Sequence, residues 1–431
     1  MSRATERATE PGGAHHVPAR TVLTLLGGRF GFRGALLLAN AVLAGVWGSA
    51  EYAACAAALG ASTVLISLAA VGLEKTALTL VPRAGERGPE VIRTVLTLAG
   101  ALAVICAVVI GVRQVVPGGD ALAAAAGMYS VLLGQNQLLV GLHRARGNVA
   151  ADYRAYAATS VWVLAWCAAV VIGGAGPLAW LLGLCLGLAA ADAVLAWPLL
   201  RSVRGHPGAR LGHHVATAGW MAVGDLVPGI TLSLIFIALS MTGRRQDSGA
   251  LYLTITAATL VMAAFAYLLR ILQPRVSLAL AGEQAWDSLR PRARRWLARC
   301  SLGGSVWTVV VVALVVGPVT GMVSDQDAAR FGPFLAFCLL VPIFVLVATV
   351  NYALENSGPR PLRLAATTSA AALLIAVAPS AVIIDRLGGV GAIAVLATVE
   401  ITHAALMYLA LAERTATARD PSTVSAGKDL P

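Results

Sequence analysis

Two arginines in the first apolar segment are the residues of this sequence best suited to hold an anion. Arg29 and Arg33 are four residues apart in an apolar run of about residues 21–45, so on a helix they share one face. They would lie roughly 12–20 Å along that helix, where an ionised side chain costs about 2.5–3.5 kcal/mol on insertion scales. Guanidinium groups bind phosphate through paired hydrogen bonds. The pair therefore predicts a site for a phosphate or pyrophosphate group, with a structural role between helices as the alternative.

Three further charged residues lie near the ends of apolar runs. Lys75 and Arg270 join Arg29 and Arg33 as candidate anion-binding residues, and Glu74 directly precedes Lys75. The alternative for these three is an anchor at the membrane surface or a local ion pair.

Acidic residues lie deeper in the later runs. Asp225 is about 15 Å into its run, and Pro228 and Gly229 follow it, so we expect the helix to be interrupted there. A discontinuous helix beside a buried carboxylate is typical of a substrate or coupling-ion site. Glu400 and His403 are one turn apart near the middle of the last run, a spacing suited to carrying or gating a proton or to pairing with an arginine elsewhere. With Glu74, these residues are candidates for lining a cavity or for coupling to a proton or sodium ion.

The sequence predicts no catalytic residue, metal site or cofactor. It contains neither a GxxxxGK(S/T) nucleotide-binding motif nor an HExxH motif. The adjacent pairs His15-His16 and His213-His214 lack further ligands at suitable spacing. We therefore expect a protein that is not an enzyme.

The composition specifies the kind of structure that must position these residues. Of 431 residues, 58% are hydrophobic and only 12% are charged, against about 25% charged in soluble domains. The mean hydropathy is +0.78. These values exclude a soluble enzyme, a nucleic-acid binder and a secreted disulfide scaffold. The net charge of +11 is typical of basic loops on the cytoplasmic side of a membrane protein.

Twelve apolar runs are each long enough to cross a bilayer, which takes about 20 residues. They fall at about residues 21–45, 52–80, 91–112, 121–142, 154–173, 177–200, 215–241, 249–272, 299–322, 331–353, 364–384 and 388–412. We predict an all-α membrane protein with 12 transmembrane helices in two six-helix lobes around a central cavity. The expected boundaries are a disordered tail (1–19), a first lobe (20–200), a linker (201–214), a second lobe (215–412) and a second tail (413–431).

The distribution of basic residues predicts the orientation. With both termini in the cytoplasm, 24 of the 32 lysines and arginines fall on the cytoplasmic side, 5 on the other side and 3 within spans. Such an excess is the expected bias of cytoplasmic loops. The longest predicted connection is cytoplasmic, from Gln273 to Arg299. We expect a multi-pass protein of the cell (cytoplasmic) membrane, surrounded by membrane lipid, whose function is performed within the bilayer.

Short motifs resemble one superfamily over almost the whole chain. The superfamily is that of the multidrug/oligosaccharidyl-lipid/polysaccharide (MOP) exporters. Gly48–Tyr52, the apolar run that ends at Gly72-Leu73 and the short segment that closes at Arg83 resemble its first-to-second span signature. Tyr252 with Leu272–Ser277 resembles its eighth span, Asn351–Gly358 the end of its tenth and Leu387–Ala392 the opening of its twelfth. Within that superfamily the chain looks most like polysaccharide-biosynthesis flippases of the O-antigen type.

The resemblance implies two six-helix lobes around a central cavity and alternating-access export of a polyprenyl-pyrophosphate-linked glycan. Lipid II flippases of this superfamily hold the pyrophosphate with arginines of the first span, and Arg29 and Arg33 are the matching candidates. Two departures are the spacing of these arginines and the Glu74-Lys75 pair.

Two alternatives remain open from the sequence. One is a cation-coupled multidrug antiporter of the same superfamily, with Asp225 or Glu400 as the ion site; its cavity should be acidic. The other is a membrane glycan polymerase or glycosyltransferase, which needs a sizeable catalytic loop, whereas the predicted outer connections have only about 4 to 10 residues.

Overall fold

The computed structural model describes residues 19–115, 119–207, 211–279, 283–322 and 325–417, and all regular elements in these ranges are helices. The predicted tails therefore lie outside the described residues except for Ala19 and residues 413–417. The helices are Ala19–Ala61, Thr63–Ile66, Ser67–Val71 (π), Gly72–Ala84, Gly85–Arg87 (3₁₀), Gly88–Val115, Ala121–Ala145, Val149–Ile172, Pro177–Val203, Leu211–Met241, Asp247–Ala279, Glu283–Met322, Asp325–Asn356 and Pro359–Thr417.

Two of these helices each contain a reversal at a glycine. Gly48 (φ 76°) divides Ala19–Ala61, and Gly388 (φ 55°) divides Pro359–Thr417; only glycine adopts positive φ at little cost. The short helices from Thr63 to Ala84 continue the second span. The described chain thus forms spans 1 to 12 at 19–47, 49–84, 88–115, 121–145, 149–172, 177–203, 211–241, 247–279, 283–322, 325–356, 359–387 and 389–417. The predicted fold class is confirmed.

Length and apolarity support the membrane location of these helices. Within the described ranges, 8 helical stretches are long and apolar enough to cross a membrane, or 9 if the bent helix at Ala218–Met241 is counted. Two of the 8 stretches, Leu26–Ala61 and Pro359–Ala412, include the reversals at Gly48 and Gly388. The chain is a multi-pass membrane protein.

Each half of the chain has its own apolar core. Buried residues from Phe32 to Val203 form the first core, joined by Ala218 of span 7, and residues from Ile235 to Leu411 form the second. Tyr252 of span 8 packs against both cores. The two lobes therefore meet around spans 7 and 8.

Span 1 begins and span 12 ends at the same end of the bundle. The described connections 85–87, 146–148, 204–207 and 357–358 and the helix ends at Ala279 and Glu283 also lie there. We call this the basic end, because it holds most of the connecting arginines. The charge distribution predicts that it faces the cytoplasm.

The segment from Gln273 to Arg299 was predicted to be a 27-residue loop, and this is wrong: its described residues are helical. Span 8 continues as a helix to Ala279, and span 9 starts at Glu283 and runs for 40 residues. Such a helix is about 60 Å long, roughly twice the thickness of the hydrocarbon core. The polar sequence marks where these helices leave the membrane, since backbone hydrogen bonds continue a helix equally well in water.

Span 7 is bent by 41° between Gly224 and Leu226. The predicted interruption at Pro228 and Gly229 is therefore a bend within one continuous helix, and it lies one turn earlier. The cause is steric: a proline removes the hydrogen bond to the carbonyl four residues before it and its ring clashes with that carbonyl, which here belongs to Gly224.

Span 2 crosses the junction between the lobes and packs along span 7. Val64 donates its backbone N–H to Ser233 Oγ at 3.0 Å. Towards the basic end, Gly72 lies so close to Ala222 that a Cβ added at Gly72 would be 2.5 Å from the Ala222 Cβ. Glycine is required there because it lets the two backbones approach closely.

Replacement of Gly72 tests this seam between the lobes. We expect Gly72→Leu to lower the melting temperature of the purified protein, at a cost of about 1–3 kcal/mol for overpacking, because the backbone of Ala222 must move. The matched control is Gly100→Leu, a helical glycine with no atom within 4 Å of an added Cβ. Equal melting temperatures for the two variants would contradict the close contact of spans 2 and 7.

Candidate functional site

Arg33 lies where the two lobes meet. It is partly buried on span 1 and within electrostatic range of Tyr129 on span 4 and Tyr252 on span 8. Among the residues that the structure describes, no carboxylate pairs with Arg33 and no hydrogen bond holds its guanidinium group. A cation without a described counter-charge is therefore within electrostatic range of two phenol groups, one of which, Tyr252, packs against both cores.

The two tyrosines give this cation a mixed polar and apolar surrounding. Tyr129 is 5% exposed, and Tyr252 packs edge-on to Phe236 with ring centroids 6.2 Å apart. No described residue hydrogen-bonds to either hydroxyl group. A third tyrosine nearby, Tyr52, instead donates to Asn40 Oδ1 at 3.3 Å. We refer to Arg33, Tyr129 and Tyr252 as the junction site.

Arg29 faces a different environment from Arg33. Its Nε is 3.7 Å from Asp152 Oδ1 on span 5, and its Cζ is 4.8 Å from the centre of the Tyr156 ring. Asp152 has no exposed surface, so a counter-charge beside it is needed. The assignment of Arg29 as a substrate-binding residue stays a prediction; its described contacts are those of an ion pair inside the first lobe.

Arg144 connects Asp152 to Glu74. Its Nε donates to Asp152 Oδ2 at 3.1 Å, and its Nη2 lies 3.4 Å from Glu74 Oε1. Glu74 is fully buried. With Arg29, these residues form a cluster of two positive and two negative charges, which joins spans 1, 2, 4 and 5 and which we call the four-charge cluster. Because its charges cancel, the cluster offers an approaching anion little net attraction.

Lys75 forms an ion pair that crosses from one lobe to the other. Its Nζ is 2.9 Å from Glu355 Oε2 at the basic end of span 10, and Glu355 Oε1 accepts a hydrogen bond from Asn351 at 3.0 Å. The two paired side chains are 12% and 6% exposed. Lys75 thus joins the lobes at the basic end, and its assignment to substrate binding is not tested by this contact.

Glu400 and His403 lie one turn apart on span 12, as predicted, and no described hydrogen bond joins them. His403 is buried and its Nε2 lies 3.2 Å from the Ala365 carbonyl oxygen. In the described part of the chain, Glu400 has no ion-pair or hydrogen-bond partner. The side chains of Asp225 and Arg270 lie outside the described residues.

Span 4 supplies polar contacts that hold the first lobe together. Gln135 donates to the carbonyl oxygens of Ala69 at 2.9 Å and Ala99 at 3.2 Å. Ala69 lies in the π-helical turn Ser67–Val71, where the helical hydrogen-bond pattern changes. Asn136 donates to Asp192 Oδ1 at 2.8 Å. These side chains satisfy buried groups in a medium without water.

The sequence reasoning missed Asp152, Arg144 and Glu355, which complete the buried ion pairs of Arg29, Glu74 and Lys75. All three lie within a few residues of the basic ends of their helices, where an ionised residue is ordinarily solvated. One pattern in the sequence could have indicated Asp152. It is four residues before Tyr156, so the two side chains share one helical face that can receive a cation such as Arg29. Tyr129 and Tyr252 carry no such signal, because tyrosine is common in apolar spans.

Comparisons with known proteins identify the fold. No family model and no curated protein matches the chain, whereas 20 chains of solved structures match it. One is a MOP superfamily transporter from Pyrococcus furiosus, whose binding pocket is described as having a reverse polarity that suggests a different function; it has 14% identity and a TM-score of 0.58 over 93% of this chain and 96% of that one.

Two further solved structures are MATE transporters. The inward-facing form of a multidrug resistance MATE family transporter of the MOP superfamily shares 14% identity, with a TM-score of 0.59 over 94% of this chain and 96% of that one. The Vibrio cholerae MATE transporter VcmN shares 17% identity, with a TM-score of 0.58 over 93% and 98%. The chain therefore has the fold of the MATE transporters of the MOP superfamily.

Proposed function

We propose that the protein is a transporter that flips a lipid-linked oligosaccharide, a polyprenyl-pyrophosphate glycan, across the cell membrane for cell-surface polysaccharide biosynthesis. The observation that carries the proposal is the junction site: Arg33 is partly buried on span 1 within electrostatic range of Tyr129 and Tyr252, and no described carboxylate neutralises it. A drug cation would be repelled there, whereas a pyrophosphate would be attracted. Support also comes from the neighbour whose pocket is described as having reverse polarity.

The chemistry of the junction site fits the head of such a lipid. A guanidinium group can donate two parallel hydrogen bonds to phosphate oxygens, and tyrosine rings offer flat apolar faces with a polar edge, which suits the alternating C–H and O–H surface of a sugar. The lobes would then rock about the junction while the prenyl chain stays in the lipid. The cycle moves the substrate without altering a covalent bond, so it needs no catalytic residue and no cofactor.

The membrane potential can assist this cycle. The substrate head is negative and moves away from the cytoplasm, so an inside-negative potential favours the transfer by about 2.3 kcal/mol per charge per 100 mV. The proposal therefore needs no coupling ion, although Glu400 on span 12 is a candidate for a proton or sodium site.

Substitution of Arg33 tests the junction site. We expect Arg33→Ala to reduce flipping of a fluorescent polyprenyl-pyrophosphate sugar in proteoliposomes by more than tenfold, because the guanidinium charge and its paired hydrogen bonds are lost. Arg33→Lys should recover part of the rate, since it keeps the charge without the planar donors. The control is Arg113→Ala at the exposed end of span 3. Normal flipping by a well-folded Arg33→Ala protein would refute the docking role.

Opening of the basic end requires separation of Lys75 from Glu355, because this pair joins span 2 to span 10. We expect Lys75→Met or Glu355→Gln alone to destabilise the closed arrangement, by about 3–5 kcal/mol for one partner left buried. The exchanged pair Lys75→Glu with Glu355→Lys should be more stable than either Lys75→Glu or Glu355→Lys alone. Labelling of a cysteine at Ala222, beside Gly72 in the seam, measures the opening. Additive effects of the two exchanges would show that the pair does not join the lobes.

A second candidate function is cation-coupled drug export. It is favoured by the multidrug transporters among the structural neighbours, and by Glu400, which has no described partner in span 12. The ion gradient would then drive transport through protonation or sodium binding at this carboxylate.

Export assays separate the two functions. If the flippase proposal is correct, expression in a host that lacks its own drug pumps leaves resistance to cationic drugs unchanged, and Glu400→Gln leaves the flipping rate within about twofold. Drug resistance that is lost in Glu400→Gln but kept in the matched control Glu86→Gln, the same change at an exposed carboxylate, would overturn the flippase proposal and support the antiporter. The membrane potential is set with valinomycin in the flipping assay, so that its contribution is measured separately.

A further inference from the structure

A groove of about 590 Å³ lies in the second lobe at the basic end, away from the junction site. Span 9 contributes Arg290, Arg294, Arg295 and Ala298 to its walls, and span 12 contributes Tyr408 and Leu411. We call it the arginine groove. Its volume is within the range of about 300–1,000 Å³ that is usual for small-ligand sites.

The charges of the arginine groove are not balanced by the protein. Of the described residues that line it, three are arginines and none is acidic, and none of the three arginines takes part in a described ion pair. Buried cations elsewhere behave differently: Arg29, Arg144 and Lys75 all lie against carboxylates. The groove therefore attracts anions to a place where the fold supplies no counter-charge.

The arginines are also held in place by neighbouring groups. Arg290 donates from Nη2 to the Leu411 carbonyl oxygen at 2.8 Å, and the guanidinium group of Arg294 lies 5.0 Å from the centre of the Tyr408 ring. The Nε of Arg294 is buried and has no hydrogen-bond partner among the described residues. An unmade hydrogen bond of a buried donor is costly, and a phosphate oxygen in the groove would supply the acceptor.

The residues around the groove are those typical of a membrane surface. Trp296, on the same segment of span 9, is 45% exposed and lies beside Arg299, whose Cζ is 5.3 Å from its ring. Exposed tryptophans with flanking arginines are typical of the interface between lipid and water. The groove is thus at the depth of lipid head groups.

The helix face that leads away from the groove is apolar. Arg294, Ala298 and Leu302 follow one another at intervals of four residues, so they lie along one face of span 9. Leu302 is 74% exposed, and it is within an 18-residue apolar window that can cross the bilayer. A molecule with a negative head and a hydrocarbon chain matches this sequence of surfaces, with the head at Arg294 and the chain along Leu302.

We propose that the arginine groove binds an anionic glycerophospholipid of the leaflet at the basic end. The phosphodiester would accept hydrogen bonds from Arg290 and Arg294, and the lipid would join spans 9 and 12 on the outside of the second lobe. Basic pockets between membrane helices on the cytoplasmic side recognise phosphorylated head groups by the same interaction. The lipid would act as a structural ligand of the second lobe, separate from any transported substrate.

Native mass spectrometry of the full-length protein in neutral detergent tests this site, with phosphatidylglycerol and phosphatidylcholine as probes. We expect the wild-type protein to retain phosphatidylglycerol in preference to phosphatidylcholine. The variant Arg290→Gln with Arg294→Gln should bind phosphatidylglycerol about thirtyfold more weakly, as expected for the loss of two arginines at a membrane surface. The matched control removes two exposed arginines of the same helix, Arg292→Gln with Arg299→Gln, and should retain the lipid.

Three results would overturn the proposal. They are equal retention of the two lipids by the wild-type protein, equal loss of phosphatidylglycerol in the groove variant and its control, and displacement of the lipid by an equal concentration of inorganic phosphate, which would indicate a site for a free anion. The comparison of the two lipids uses only the wild-type protein. Equal retention of the two lipids would therefore overturn the proposal even if the groove variant does not fold.

Discussion

The cost of an ionised side chain in hydrocarbon is the constraint on which the first lobe depends. Asp152 and Glu74 are fully buried, and they are acceptable there only because Arg29 and Arg144 lie against them. Removal of one partner would leave a charge without compensation and would separate four spans. Arg33 is different, since its neighbours at the junction are tyrosines. No described carboxylate compensates its charge, and the proposed binding role of Arg33 rests on this difference.

The contacts between the lobes differ in kind along span 2. At Gly60 and Gly72 the contact is steric, with Phe236 and Ala222 directly against the backbone of span 2. At Lys75 it is electrostatic, through Glu355. The two glycines let large or backbone groups of span 7 approach span 2 closely, whereas the ion pair is either formed or broken. Separation of the lobes at the basic end would therefore have to break this pair.

Much of the fold follows from the sequence because the bilayer imposes it. Each crossing needs a long apolar helix, so the apolar runs predicted the twelve spans, and proline chemistry predicted a distortion near Pro228. The helix ends near residues 273–299 were not predictable from polarity, because a helix that leaves the membrane changes its surface but not its backbone. The candidate site was predictable only as a set of charged residues. Arg29 and Arg33 differ because Asp152 of span 5 pairs with Arg29 and not with Arg33. This contact depends on how span 5 packs on span 1, and no local sequence pattern predicts that packing.

The length of span 9 has a mechanical consequence. Span 9 has 40 residues, whereas its apolar stretch covers Ser288–Val315, so the helix continues beyond this stretch at both ends. Such a rod behaves as a lever: a tilt of about 10° within the bilayer moves its tip by roughly 5 Å. A tilt of this helix would thus be magnified at its ends, where a spectroscopic label could follow it without disturbing the interior.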